Sequence, residues 1–326
     1  MSADIAVVRA LEKRTAITGR TIGLMTAALI LFGVIALVSD TFLSSYTMFI
    51  LARQIAFFTL IAMGQAVCLV VGGMNLSVGA IGSICTVALG LALANAGLSG
   101  WIAVPLTLLC GAIAGLANGI LIVKLRIDSF IVTLSMMFIF MGLRSGISGG
   151  QPYPVPESFG IVGQQGIVGI PYVFLVMLAV LAAFSYMYRN TVFGRRMLAT
   201  GGNPDAARLS GISNDNMILG ANILSGLLAA LAAVLWTSEM GSAAPETGDS
   251  WLIVTFAVAI IGGTSLKGGA ISPYGILMGG IIYTLIRHGL IEMKANPYYM
   301  NVYIGILILL TIAIDRLREG YGNDHA

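Results

Sequence analysis

Asparagine, glutamine, serine and threonine side chains lie within or beside the long apolar runs of this 326-residue chain. Their amides and hydroxyls donate and accept hydrogen bonds, so they could hold the hydroxyl groups of a small polar solute. A route that a solute crosses must not bind it tightly, and a few neutral groups suit that need. The candidate pathway residues are Gln65, Gly73, Asn75, Ser77, Asn118, Thr264 and Ser265.

Some of these residues have a simpler explanation. Asn75 and Ser77 lie where a helix could begin, and they could serve only to cap it. Asn118, like Asn222, falls inside an apolar run and could instead form hydrogen bonds between helices. Both explanations stay open for each residue.

Several kinds of chemistry are missing from the sequence. The interiors of the apolar runs contain no Asp or Glu, which disfavours a proton-coupled carrier because such a carrier needs an ionisable relay. Sodium coupling through neutral oxygens stays open. There is no phosphate-binding loop of the G-x-x-x-x-G-K-[ST] type. His288 and His325 are isolated, so we expect no metal site, no cofactor and no catalytic residue.

The polar segment 201–211 interrupts the apolar runs and has the signals of a short helix. Asn203 suits the N-cap, Pro204 the first helical position, and Asp205 the positive helix end. Gly211 can end the helix. A helix of this length is unstable alone in water. We therefore interpret it as a docking helix that a cytoplasmic partner holds.

The candidate coupling residues surround this helix. We expect Asn203 and Asp205 to organise its start and Ala206, Ala207 and Leu209 to pack. Arg195, Arg196 and Arg208 are candidate contacts, although membrane topology explains these arginines equally well. The full set is Gly194, Arg195, Gly202, Asn203, Asp205, Ala206, Ala207, Arg208, Leu209 and Gly211.

Composition places these residues in a membrane protein. The chain is 58% hydrophobic and 10% charged, with a mean hydropathy of +0.95. No basic, aromatic-rich stretch indicates nucleic-acid binding. We predict about ten membrane spans, at 21–39, 49–71, 77–95, 101–123, 129–147, 171–188, 217–237, 250–262, 271–286 and 298–314.

Lysine and arginine orient the predicted spans. With ten crossings, most basic loops fall on one side, which is the cytoplasm, and both termini lie there. Arg53, Arg144, Arg287 and Lys294 lie near span ends, where we expect long side chains to reach the interface. The predicted organisation is a cytoplasmic segment 1–20, a permease domain 21–314 with an outer loop 148–170 and a cytoplasmic loop 189–216, and a cytoplasmic tail 315–326.

Glycine spacing adds two observations. Gly111, Gly115 and Gly119 recur every four residues, which favours close packing between helices. The run 72–80 can be laid over 262–270 in the frame G-G-x-x-L-x-x-G-A. Interrupted spans at matching places in two halves indicate a transport pathway. A chance likeness of two tight turns stays open, as does a plain connecting role for the outer loop.

These motifs together resemble the permease subunits of bacterial ABC importers for monosaccharides of the ribose, xylose and galactose type. The likeness runs from Phe42 to Asp315, and its specific pieces are 72–79, 130–134, 193–212 and 262–269. The family commonly has Asp where this chain has Asn75.

The resemblance implies an all-α membrane protein like the type II ABC importers, with broken helices and a short cytoplasmic coupling helix. It implies a second permease subunit, two cytoplasmic ATP-binding subunits, a periplasmic solute-binding protein and a location in the bacterial inner membrane. ATP hydrolysis would occur on the separate subunits. Two alternatives remain, an ABC permease for a nucleoside, amino acid or furanose-like signal, and an ion-coupled secondary carrier.

Overall fold

The fold is a bundle of apolar helices with a few very short strands. The structure is a computed structural model, and it describes residues 22–294 together with positions 296–299, 302, 303, 305, 306 and 309. The predicted segments 1–20 and 315–326 lie outside the described residues, as does most of the predicted span 298–314.

The helices follow one another with short connections. They are α1 (Ile22–Val38), α2 (Ser45–Val70), α3 (Val78–Gly90, continued by a π-helical turn Leu91–Asn95), α4 (Gly100–Leu125), α5 (Ser129–Ser148), α6 (Glu157–Gln164), α7 (Tyr172–Asn190), α8 (Val192–Gly202), α9 (Pro204–Leu209), α10 (Asn214–Met240), α11 (Trp251–Ile261) and α12 (Pro273–Glu292), and a 3-10 turn spans Pro297–Tyr299. Strands β1 (Tyr153–Pro154) and β4 (Ser242–Ala243) pair antiparallel, as do β2 (Gly166–Ile167) and β3 (Ile170–Pro171).

Seven of these helices are long and apolar enough to cross a membrane, and α1 and α11 are shorter apolar helices. Each coincides with one predicted span, with ends that differ by a few residues. The count of ten spans stays a prediction.

Helix α10 lies at the centre of the bundle and packs on α2, α3 and α4. Its contact with α4 is made backbone to backbone. A Cβ on Gly226 would overlap the Gly111 carbonyl oxygen, and a Cβ on Gly115 would overlap that of Asn222. The glycine spacing on α4 therefore serves helix packing, as the sequence predicts.

Helices α2 and α11 end with the same glycine-based turn. After α2, the Gly72 and Gly73 amides donate to the carbonyls of Leu69 and Cys68 at 2.9 and 3.0 Å. After α11, Gly263 and Thr264 repeat this pattern on Ile260 and Ala259. Gly72 and Gly263 have φ of 82° and 85°, which glycine adopts without strain.

The two aligned glycine runs therefore share a helix-ending motif. The structure superposes Gly72 on Gly263, whereas the sequence frame pairs it with Gly262. The likeness also stops at the turn, because α3 starts soon after it and α12 starts later.

Two predicted loops contain helices. The cytoplasmic loop 189–216 holds α8 as well as the predicted short helix α9, and the outer loop 148–170 holds α6, β1, β2 and part of β3. Helix α6 packs on the end of α10, where the Gly163 amide donates to the Ser238 hydroxyl at 2.9 Å. The loop 148–170 is therefore an ordered cover over one end of the bundle.

Candidate functional site

The polar residues before α3 form one buried cluster. The Asn75 side-chain oxygen accepts hydrogen bonds from the Ser77 amide at 3.0 Å and the Ser77 hydroxyl at 2.7 Å. The Asn75 amide donates to the Ser225 hydroxyl on α10 at 3.0 Å, and Asn118 on α4 donates to Ser77 at 2.7 Å. Asn75, Ser77, Asn118 and Ser225 are all fully buried.

This cluster joins three helices and nearly satisfies itself. The Asn75 oxygen closes a turn that starts α3, and the two amides tie that start to α4 and α10. This arrangement fits the capping and interhelical roles left open by the sequence. Only the Asn118 carbonyl oxygen lacks a partner among the described residues.

The other candidate pathway residues lie elsewhere. Gln65 on α2 is fully buried, and within the described part of the chain neither of its amide atoms has a hydrogen-bond partner. Gly73 lies beside Ser129 at the start of α5. Thr264 and Ser265 follow α11, in the turn that leads to α12. Their role in a pathway stays a prediction.

The short helix α9 forms where the sequence predicts it. The Asn203 side chain accepts the Ala206 amide at 3.0 Å, Pro204 takes the first turn, and Gly211 has φ of 78°. The chain itself holds this helix, because the Asn214 amide donates to the Pro204 carbonyl at 2.8 Å. Contacts within the chain therefore contribute to holding α9, so its shortness alone does not require a partner.

Exposure divides the candidate coupling residues. Ala207 is buried against its own chain, whereas Leu209 is 89% exposed. The expected packing role of Ala206, Ala207 and Leu209 is thus split between an inner and an outer face. The exposed members are Arg195, Gly202, Asn203, Asp205, Ala206, Arg208, Leu209 and Gly211, with Arg196 beside them. Gly194 is buried, and a Cβ there would overlap the Met187 carbonyl oxygen of α7.

A second contact, which sequence reasoning missed, lies just before α9. We call it the glycine junction, and it consists of Val70, Gly201, Gly202, Gly268 and Gly269. The Gly269 amide donates to the Val70 carbonyl at 2.9 Å, and a Cβ on Gly201 would overlap that same oxygen. The end of α8, the end of α2 and the α11–α12 turn therefore meet through backbone atoms. In the sequence, the pairs Gly201-Gly202 and Gly268-Gly269 were the available signal for this contact.

Arg144 does not reach the membrane interface as expected. Its side chain is 8% exposed and forms an ion pair with Asp249. The same guanidinium donates to the Ser83 hydroxyl at 2.8 Å and the Pro245 carbonyl at 2.6 Å. Arg53 is likewise drawn inward, to Glu239 at 3.4 Å. Sequence spacing could not reveal these partners because they lie far along the chain.

Arg287 and Lys294, the other two basic residues expected at span ends, differ from this pair. The Arg287 guanidinium lies over the Phe58 ring, 5.5 Å from its centre. Lys294 is exposed just after α12, and its position at an interface stays a prediction. The snorkelling interpretation is therefore wrong for Arg144 and Arg53.

Comparison with known proteins agrees with a permease. The family described as "Branched-chain amino acid transport system / permease component" matches residues 47–312. The ribose import permease protein RbsC of Escherichia coli (strain K12) is 30% identical over 300 residues, covering 90% of this chain and 93% of that protein.

The names of two further relatives specify other solutes. The fructose import permease protein FrcC of Rhizobium meliloti is 31% identical over 301 residues, covering 90% of this chain and 83% of that protein. The autoinducer 2 import system permease protein LsrC of Photorhabdus luminescens is 28% identical over 301 residues, covering 92% and 91%. No solved structure gives a significant match. Because the family match spans most of the chain, this multi-pass membrane protein belongs to the family of transport-system permease components.

Proposed function

We propose that this chain is the membrane-spanning permease subunit of an ATP-driven ABC importer for a monosaccharide. A second permease subunit would complete the passage, two cytoplasmic ATP-binding subunits would drive it, and a periplasmic binding protein would deliver the sugar. The setting is a bacterial inner membrane with both termini in the cytoplasm. The chain itself carries no catalytic step.

The observation that carries this proposal is the exposed short helix α9. It presents Leu209, a large apolar side chain that is 89% exposed, together with Asp205 and Arg208 on a predicted cytoplasmic loop. A lone exposed leucine is unremarkable on a soluble protein. Here it lies on a rigid, capped helix that is otherwise polar, which suits a surface that another subunit grips.

The glycine junction supplies a route from α9 into the bundle. Helix α8 precedes α9 by one residue, and its end touches the end of α2 and the α11–α12 turn. Four residues separate the end of α9 from the start of α10. A displacement of α9 by the ATP-binding subunits would therefore act on α2, α10 and α12 together. In alternating access this motion would open the passage first to one side and then to the other.

The sugar assignment comes from the relatives. Those named above import ribose and fructose, and the chain covers nearly their whole length. A second candidate is a non-saccharide polar signal, because a relative of similar identity imports autoinducer 2.

The test is solute uptake by vesicles that contain the assembled permease, the ATP-binding subunits and the binding protein. We expect uptake of a monosaccharide that requires ATP and the binding protein. Ribose, fructose, autoinducer 2 and an amino acid form the solute panel. Uphill uptake by the permease alone under an ion gradient would contradict the proposal, and uptake of autoinducer 2 alone would select the second candidate.

A further inference from the structure

The segment Ala244–Ser250 between β4 and α11 descends into the bundle without helical structure. Its two ends can be ranked along α3, because Ala243 touches Gly90 and Gly248 abuts Gly79. Eleven residues of helix at about 1.5 Å each separate these levels by about 16 Å. The segment 244–250 covers this interval through successive turns, in which the Thr247 amide donates to the Ala244 carbonyl at 3.2 Å and the Asp249 amide donates to the Glu246 carbonyl at 3.0 Å. It passes beside α3 from the level of Gly90 to the level of Gly79, and we call it the re-entrant segment.

Arg144 fixes the lower end of this segment. The guanidinium makes a two-pronged ion pair with Asp249, and it also holds the Pro245 carbonyl and the Ser83 hydroxyl. Ser83 in turn accepts the Gly248 amide at 3.0 Å. One arginine on α5 thus joins α3 to both ends of the turn 245–249. A buried arginine in a membrane span is costly, so such a residue is generally retained for function.

The anchored end of the segment is open on its other side. The Asp249 side chain is 43% exposed although its carboxylate is bound to Arg144, and Ser250 is exposed beside it. The Ser250 hydroxyl makes no capping bond to α11. A carboxylate that faces the hydrocarbon of a bilayer is costly. We therefore infer that the exposed side of Asp249 faces water.

We propose that Asp249 contacts the passing solute and that Arg144 is the residue that positions it. This proposal rests on the proposed import function. An anchored carboxylate with free acceptor capacity suits a polyhydroxylated, uncharged solute, because each sugar hydroxyl can donate to it. The Arg144 ion pair fixes the direction of the carboxylate. The contact is a stage in passage rather than a storage site.

The position of the re-entrant segment also connects it to the ATP-driven motion of α9. Helix α10 is separated from α9 by four residues and ends at Met240, where the chain passes through β4 into the re-entrant segment. A shift of α10 relative to α5 therefore pulls on the segment while Arg144 holds its lower end. Opening and closing at Asp249 is the local consequence of that pull.

The first experiment tests whether the re-entrant segment is accessible to water. Ser250→Cys provides the probe because that hydroxyl has no capping role to lose. Vesicles with the whole complex are treated with a membrane-impermeant cationic thiol reagent from the outer side. We expect labelling, and slower labelling when the loaded binding protein and ATP are present. The matched control is Leu143→Cys, a 48% exposed neighbour of Arg144 on α5, which we expect to stay unlabelled because it faces lipid.

The second experiment measures transport. Asp249→Asn, Arg144→Lys and Arg144→Met are compared with Arg53→Met, which breaks the other partly buried arginine pair. We expect Asp249→Asn to lower the maximal uptake rate about threefold or more, because a charged acceptor is lost, with an unchanged half-saturating concentration of binding protein. We expect Arg144→Met to lower the maximal uptake rate further. Arg144→Lys should retain part of that rate, because lysine can still form an ion pair with Asp249.

The number of ATP molecules hydrolysed per solute separates positioning from mere stability. We expect this ratio to rise in the Arg144 and Asp249 variants and to stay at the parent value in Arg53→Met, whatever its thermal stability. Absence of Ser250→Cys labelling in a complex with normal uptake would overturn the proposal. An unchanged ratio in all variants would do the same. Failure of the unmodified complex to import any sugar would instead refute the proposed function, and the labelling would remain readable.

Discussion

The glycine junction makes a sharp prediction for Gly201→Ala. A Cβ at residue 201 would overlap the Val70 carbonyl oxygen and lie 2.7 Å from the Gly269 nitrogen. Unstrained heavy-atom contacts lie at about 3.5 Å or more, so the Gly269 contact alone requires a separation of roughly 0.8 Å, and the closer Val70 contact requires more. That movement weakens the 2.9 Å hydrogen bond from Gly269 to Val70. The end of α8 is thereby pushed away from α2.

The cost follows from packing. Forcing a methyl group into a close contact costs about 1–3 kcal/mol, and Ala recovers up to about 1 kcal/mol over Gly in a helix. Gly202→Ala is the matched control, because its Cβ would meet only the Gly269 Cα at 3.8 Å. The control has the helix gain without the clash. We therefore expect Gly201→Ala to be less stable than Gly202→Ala by about 1–3 kcal/mol.

The assay measures both the stability of the permease and the coupling of ATP hydrolysis to solute uptake. Thermal unfolding in detergent gives the stability difference, and vesicles with the whole complex give ATP hydrolysis and uptake. We expect Gly201→Ala to hydrolyse more ATP per imported solute, because α9 can then move without moving α2. If Gly201→Ala and Gly202→Ala had equal stability and hydrolysed equal amounts of ATP per imported solute, the glycine junction would not transmit the motion of α9.

Other variants test the remaining parts. Leu209→Ser should leave the stability of the isolated permease within about 0.5 kcal/mol but reduce ATP-driven uptake and binding of the ATP-binding subunits, whereas Val192→Ser, also exposed, should change neither. Asn75→Leu should lower the free energy of unfolding by about 1–3 kcal/mol, because Ser77 and Ser225 lose their partner. Asn75→Asp should cost less, because both serine hydroxyls and the Ser77 amide can donate to a carboxylate; equal costs would contradict this account. Gly115→Val should prevent α4 from packing on α10 and abolish accumulation of folded protein, which immunoblotting of membranes measures.

The sequence was sufficient for features that depend on neighbouring residues. Apolar runs located nine helices, because length and hydropathy are local properties. Asn203, Pro204 and Gly211 correctly marked the start and end of α9, since capping bonds reach only a few residues along the chain. Gly111 and Gly115 revealed a packing face for the same reason.

The sequence did not reveal the features that depend on contacts between distant residues. Arg144 looked like an interfacial residue because its partners, Ser83 and Asp249, lie 61 and 105 residues away. The re-entrant segment was hidden within a stretch interpreted as an ordinary loop. The importance of Gly201 and Gly269 likewise depends on the meeting of α8 with the α11–α12 turn, which no periodicity indicates.

Asn75 shows how the structure changes a prediction without deciding its function. If Asn75 acted only as a pathway residue, Asn75→Ala would alter flux or selectivity with normal assembly. The buried cluster adds a stability cost, because the truncation leaves the Ser77 and Ser225 groups without their partner. Flux measured for this variant must therefore be divided by the amount of assembled complex before a pathway role is assigned.

Helix α10 gives these observations a common physical basis. Its first turn is tied to α9 through Asn214, its middle carries Ser225 of the polar cluster, and its end leads into the re-entrant segment. Where Gly226 meets Gly111, the backbones of α10 and α4 are in contact without an intervening side chain. We therefore expect a push on α9 to move α10 as a rigid body. If Gly111→Ala, which separates these two helices, left ATP consumption per imported solute unchanged in a correctly folded complex, this rigid transmission would be wrong.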